Sequence, residues 1–388
     1  MKVEAKPIDK NSNLYSYVNL SSIYIDGICF DIFENSTTDD DVDIIKKFLN
    51  DIIDYFENKT EYFYYAKFEE IFTWPRFYKL MNIIYSVFSE RKLQDRIMFL
   101  DNNTSFKFKE NNYNYFGIPL MLGHVVINRE NGQEEILSSE NINEYLKDKK
   151  FERTFLSFNG RPKEHREELV QFIVDNKLED KFYYSFGTSY GNNQNHKLYK
   201  RLNDDFDDNK RGIGLRLSGY EKKAFCYVIT ENSVGFQNTT DDEYLDTLVE
   251  YKPNLFSHIT EKITRGIGTM MPFILVGQPY TLKILKENGF KTFDKWWDES
   301  YDLEENYHLK MDSIKKIILD ISTWNIEKQK RIYSEMMPIL YHNLKRHDEL
   351  RTSMYDRYNL PTMVDYNSKN ESLYKSYFQK KYSNLTFS

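Results

Sequence analysis

The chain has 388 residues, long enough for two domains and a terminal appendage rather than one small core. Its 53 basic and 60 acidic side chains leave a formal charge of −7, which excludes a surface that grips nucleic acid along its whole length. With 2 cysteines, Cys29 and Cys226, a disulfide framework or a cysteine metal site is excluded, and no apolar run approaches the roughly 20 residues that cross a bilayer.

The opening residues, Met1-Lys2-Val3-Glu4, do not resemble a signal peptide, so a soluble protein of the cytoplasm is expected. Residues 20 to 33 alternate apolar and polar and read as one or two strands, with Asp26-Gly27 as a turn. Thr37 to Asp41 supply capping chemistry for a helix whose Ile45, Phe48, Leu49, Ile52 and Phe56 share one face. A second helix begins at Pro75, where a missing N–H costs nothing, and lines up Phe77, Leu80, Met81, Ile84 and Phe88. Ile97 to Leu100 form a short buried strand ending at Asp101-Asn102-Asn103. These alternating elements predict an N-terminal α/β domain over residues 1–150, closed by the charged run from Glu144 to Arg153.

From Thr154 the pattern is regular: strand 154–158, helix 163–177, strand 182–186, strand 224–230, a helix from 261, strand 273–277 and helix 280–288. Short apolar runs alternating with helices predict a parallel, doubly wound, Rossmann-like sheet over residues 151–303. The remainder, 304–388, carries two helical stripes, Ile314, Ile317, Ile318, Ile321 and then Ile332, Met336, Ile339, Leu340, Leu344, the second bent at Pro338.

In a parallel sheet, ligands bind outside the C-terminal ends of the strands, so the residues just after each strand are the candidate site. The first such stretch, Asn159 to Arg166, holds Arg161 and Arg166, whose guanidinium forks match phosphate oxygens. Gly187, Thr188 and Ser189 end the next strand with a small residue and two hydroxyls. Glu231-Asn232-Ser233 ends the third. Thr260-Glu261-Lys262 then opens a helix whose free N–H groups and dipole favour an anion, with Lys262 adding a full charge and Glu261 accepting from sugar hydroxyls. Each stretch also has an ordinary explanation: a solvated basic loop, a strand-end turn, a capped helix start. Together, anion and polyol chemistry at one sheet edge points to a nucleotide or nucleotide-sugar. Asp204 to Asp208 lie in a polar run with no strand before them and read as a solvated loop rather than an Asp-x-Asp metal site. The histidines show no pair at metal spacing, so no metal and no cofactor is expected.

Glu231-Asn232-Ser233, then Ile259-Thr260-Glu261-Lys262, then Pro272 to Gly277 resemble, in that order, the signature of fucosyltransferase-like and exostosin-like glycosyltransferases. Phe155 to Asn159 with Arg166 resemble the strand, loop and helical arginine that open the donor domain of those families. The resemblance spans roughly residues 151 to 300; His258 stands where fucosyltransferases usually carry Tyr. It implies two Rossmann-like domains facing across a cleft (GT-B), braced by C-terminal helices, and a metal-independent, inverting transfer from a nucleoside-diphosphate sugar. It further implies that Glu261 binds the donor ribose and Lys262 its phosphate, with His258 and Thr260 beside them. Inversion requires a carboxylate base from the first domain to deprotonate the acceptor hydroxyl. Glu61, Glu69, Glu70 and Asp101 are the candidates, with Asp101, at a strand end, favoured. The resemblance extends to glycosyltransferases of tailed phages and other viruses and so implies an acceptor that is a glycan or a modified DNA base, in the host cytoplasm if the source is viral. The rival readings are a non-catalytic nucleotide-sugar-binding module and a purely structural protein.

Overall fold

A computed structural model describes residues 3–7, 20–25, 28–33, 39–58, 63–67, 74–101, 114–117, 125–130, 133–187, 195–202, 214–231, 234 and 259–358. The chain is mixed α/β and divides into two compact units. The first takes the described elements up to residue 117, and the second those from residue 125 through Arg351. The second unit therefore begins ahead of the charged run at 144–153 and includes most of the C-terminal helical region.

The first unit is built on a sheet with the strand order β1-β3-β2-β4-β5-β6. Its strands are β1 (Val3–Pro7), β2 (Leu20–Ile25), β3 (Ile28–Phe33), β4 (Phe63–Lys67), β5 (Ile97–Asp101) and β6 (Asn114–Gly117). The two expected strands of residues 20–33 pair antiparallel, with Ile25 opposite Ile28; the expected turn residues Asp26 and Gly27 lie outside the described residues. From β1 to β4 the pairing is antiparallel, and from β4 to β6 parallel. Pro7 ends an edge strand, where a missing donor interrupts no ladder. Helix α1 (Asp39–Phe56) buries the face its periodicity predicts, and helix α2 (Trp74–Glu90) buries Leu80, Met81, Ile84 and Phe88; the side chain of Phe77 lies outside the described residues. Ile45, Phe48, Leu49 and Ile52 pack with Leu80, Met81, Ile84 and Phe88, and Phe88 meets Phe63 of β4 edge-on at 5.0 Å. Arg91, just past α2, pairs with Asp54 of α1 at 2.7 Å.

The second unit contains a four-stranded, wholly parallel sheet, β10-β9-β12-β13, formed by β9 (Arg153–Asn159), β10 (Phe182–Phe186), β12 (Ala224–Thr230) and β13 (Phe273–Val276). Every residue of β12 and β13 is buried, which is why both read as unbroken apolar runs rather than alternating ones. A smaller sheet, β11-β7-β8, pairs β7 (Val125–Glu130) parallel with β11 (Gly214–Arg216) and antiparallel with β8 (Gln133–Ile136). The helices are α3 (Ile142–Leu146), α4 (Glu164–Asp175), α5 (Glu261–Gly268), α6 (Thr281–Glu287), α7 (Tyr307–Ser322) and α8 (Ile326–Tyr358), the last with Pro338 inside it. Among the described residues no helix is long and apolar enough to cross a membrane.

Specific side chains fix these helices to the sheet. Glu168 of α4 accepts hydrogen bonds from Tyr307 and Lys315 of α7. Tyr333 of α8 donates to the carbonyl of Met270 at 3.0 Å, and Tyr301 accepts from the Leu275 N–H at 3.2 Å on the edge strand β13. Asp302, in the turn Ser300–Leu303, accepts from the N–H groups of Leu282 and Lys283 and so caps α6. Helix α5 lies against β7 and β12, and a Cβ on Gly268 would overlap Cγ2 of Val126 and stand 3.0 Å from its Cβ. Gly268→Ala should therefore destabilise the protein by about 1–2 kcal/mol, because Val126 is itself buried and has little room to move. A denaturant melt of that variant unchanged from the parent would mean that α5 slides freely over β7.

Candidate functional site

The strand order of the four-stranded sheet contains one reversal. From β9 the chain passes through α4 to β10 on one side; from β12 it passes through α5 to β13 on the other. The C-terminal ends of β9 and β12 therefore flank the point where the connections diverge, the usual crevice for a ligand in an open parallel sheet. Arg161 lies two residues past β9, Glu231 follows β12 directly, and Thr260 to Lys262 enter α5.

A buried polar network runs across these strand ends. Ser157 donates to the carbonyl of Val228 at 3.0 Å, and Asn159 donates to the Ser157 hydroxyl at 3.1 Å. Thr230 donates to the side-chain oxygen of Asn159 at 2.8 Å, and the Asn159 N–H reaches the hydroxyl of Ser185 in β10. Four polar side chains that would each oppose burial are thereby satisfied together, and β10, β9 and β12 are held in register where the site lies. Gly187 adopts φ 73°, a conformation that favours glycine, and its N–H donates to the Asn159 carbonyl at 3.0 Å.

Arg166 and His165 of α4 turn beneath the edge. Arg166 is 2 % exposed and donates to three main-chain carbonyls: Arg161 at 3.1 Å, Thr230 at 3.2 Å and Glu231 at 3.1 Å. His165 is also buried, with Nε2 2.9 Å from the Glu231 carbonyl. A carbonyl can only accept, so Nε2 carries the proton. Burial, followed by the charge of Arg166, pushes the imidazole down to about 3, so the ring is neutral at ordinary pH.

Glu231 is the centre of the arrangement. Its carboxylate is buried, and it accepts from the N–H of Thr260 at 3.2 Å and from the Thr260 hydroxyl. That hydroxyl in turn caps α5 by accepting from the Lys262 N–H at 3.3 Å, and also accepts from Lys262 Nζ at 3.1 Å. The ammonium stands 3.8 Å from the Glu231 carboxylate and its side chain is 19 % exposed. Gly277, after β13, is small enough for Glu231 to pack over it: an added Cβ would meet Glu231 Cγ at 3.4 Å. The edge thus presents an ammonium and a capped helix start, held from below by a carboxylate. Such a set can receive an anion at Lys262 without any rearrangement of the strands.

Of the residues expected at the site, Arg161, Arg166, Glu231, Thr260 and Lys262 are joined by direct hydrogen bonds, and Gly187 joins through Asn159. Glu261 occupies the first position of α5. Thr188, Ser189, Asn232, Ser233 and His258 lie outside the described residues, as do Glu61, Glu69 and Glu70. Asp101 is the last residue of β5, in the first unit. Among the described residues no group of three or more His, Cys, Asp and Glu forms a metal site; Asp204 to Asp208 are outside them. Ser157, Ser185, Thr230 and His165 were not singled out from sequence. Their one signal was the polar alternation Ser157, Asn159 inside an otherwise apolar strand. No family model, no curated protein and no solved structure matches this chain.

Proposed function

We propose that the protein is a glycosyltransferase that moves a sugar from a nucleoside-diphosphate donor to an acceptor hydroxyl, with the donor held at the β9/β12 crevice. The observation that carries this reading is the placement of Lys262 and the capped start of α5 at the switch point of a parallel sheet, joined through Thr260 to Glu231. A diphosphate leaving group gains charge as the sugar departs, and an ammionium beside helix N–H groups stabilises that charge without a metal. In this reading Arg161 and Lys262 face the diphosphate and Glu261 the ribose. Arg166 supports them by fixing the loop after β9 to the end of β12. With the reading go the two-domain GT-B arrangement and a carboxylate base from the N-terminal unit, Asp101 or Glu69. The acceptor is a glycan or a hydroxylated DNA base.

A panel of nucleoside diphosphates tests the donor site. At 100 times its dissociation constant, the right one should stabilise the fold by about 2.7 kcal/mol, and Lys262→Ala should remove most of that gain. If none raises the melting temperature, the donor site is wrong. Incubation with the matching nucleotide-sugars then separates an enzyme, which slowly releases free diphosphate, from a binding module, which holds the donor without turnover.

A further inference from the structure

Glu231 sets a negative charge against the cation on which the proposed donor site depends. Its side chain is 2 % exposed, and the Lys262 ammonium lies 3.8 Å from it. The Lys262 side chain folds back on the start of α5: its Nζ donates to the Thr260 hydroxyl at 3.1 Å, and that hydroxyl donates in turn to the carboxylate. Cation, hydroxyl and carboxylate form one chain from the rim of the site to its floor.

Of the two charges, the ammonium is the one that can turn to meet a ligand. Glu231 is clamped through its main chain: its N–H donates to the Val276 carbonyl at 2.8 Å, and its carbonyl accepts from His165 at 2.9 Å and from Arg166 at 3.1 Å. The carboxylate itself is held by the N–H and the hydroxyl of Thr260. Lys262 has a flexible four-carbon stem and a side chain 19 % exposed, so an anion arriving from solvent can reach its ammonium. An anion oxygen in contact with the far side of that ammonium stands roughly 7 Å from the carboxylate. At that distance the repulsion between two unit charges weakens binding about 3-fold where the medium screens like water, and about 50-fold at an effective dielectric constant of about 20.

We propose that Glu231 is a positioning residue that limits the hold of this site on its diphosphate: the carboxylate draws the Lys262 ammonium back and repels the anion, so that the product of transfer can leave. The inference rests on the assignment of Lys262 to the diphosphate. Glu231 meets no reacting atom; it acts through the charge of Lys262 and through its own field.

Inorganic diphosphate, titrated by calorimetry into the full chain, tests this. Glu231→Gln should bind it about 3- to 50-fold more tightly than the parent. The same change takes an acceptor from Thr260, so the variant should also melt at a lower temperature. Tighter binding in a less stable protein is a combination that a merely structural Glu231 does not give, since loosening the end of β12 would weaken both. Glu231→Met, close in length, removes the charge in another way and must show the same sign, which keeps the test open if the Gln variant does not fold. Lys262→Ala should bind diphosphate more weakly than the parent, and adding Glu231→Gln to it should restore only part of the loss. If the parent binds diphosphate through Lys262 while Glu231→Gln and Glu231→Met bind it no better, the proposal is overturned and the donor site stands. If Lys262→Ala binds as well as the parent, or none of these proteins binds diphosphate, Lys262 is not its ligand and the proposal falls with that assignment.

Discussion

Arg166→Met should lower the free energy of unfolding by about 3 kcal/mol or more, the largest effect expected of any single change at the site. The guanidinium is buried, and three carbonyls, those of Arg161, Thr230 and Glu231, depend on it. Removing a buried cation relieves its own desolvation, which opposes the loss. The Glu231 carbonyl keeps His165 as a donor, but leaving the Arg161 and Thr230 carbonyls without theirs costs about 1–3 kcal/mol each, and the two together outweigh that relief. Arg166→Lys should recover little, because a single ammonium cannot span the loop after β9 and the end of β12 as a planar fork does. Urea denaturation of both variants measures this. A loss below about 1 kcal/mol for the Met variant would mean that water replaces the guanidinium and that Arg166 is not what closes the crevice floor.

The part of the fold that was legible in the sequence is the part whose burial is two-sided. β12 and β13 are buried at every position, so Ala224 to Thr230 and Phe273 to Val276 stand out as apolar runs, and the helices between them supply the rest of the parallel pattern. In the first unit β2, β3 and β5 were legible as alternation or a short apolar run, whereas β1, β4, β6 and the strands of the small sheet give no such signal. β4 reads Phe-Tyr-Tyr-Ala-Lys and β11 has three residues, and both become strands through partners far away in the chain; β8, Gln-Glu-Glu-Ile, becomes one by pairing with β7 just before it. The same distance hid the chemistry beneath the site. Ser157 finds Val228 71 residues on, and Tyr307 finds Glu168 139 residues back. Arg166 was legible as a cation after a strand. Its partners were not, because they are main-chain carbonyls, which no side-chain motif records.

His165 should make the protein acid-sensitive in a window set by its own ring. The imidazole is buried, its Nε2 proton is committed to the Glu231 carbonyl, and Arg166, Lys163 and Lys262 all oppose a second charge. Its pKa falls from 6.5 to about 3 on folding, with burial the largest cause. Between those values the unfolded chain takes up a proton that the folded chain refuses. The contribution is therefore fully present above pH 6.5 and is lost as the pH falls toward 3. From pH 6.5 to pH 4.5 that loss amounts to about 2 kcal/mol. Carboxylates such as Glu168, which Lys315 and Tyr307 hold below the usual range, also lose stability in acid, so the wild-type slope alone does not isolate the histidine. His165→Gln keeps a side-chain donor for the Glu231 carbonyl and cannot take up a proton. Urea melts of the two proteins at pH 6.5, 5.5 and 4.5 should diverge, with the wild type losing about 2–3 kcal/mol more than the variant across the range. Parallel slopes would place the ring in water, and would separate His165 from the buried group that holds the end of β12.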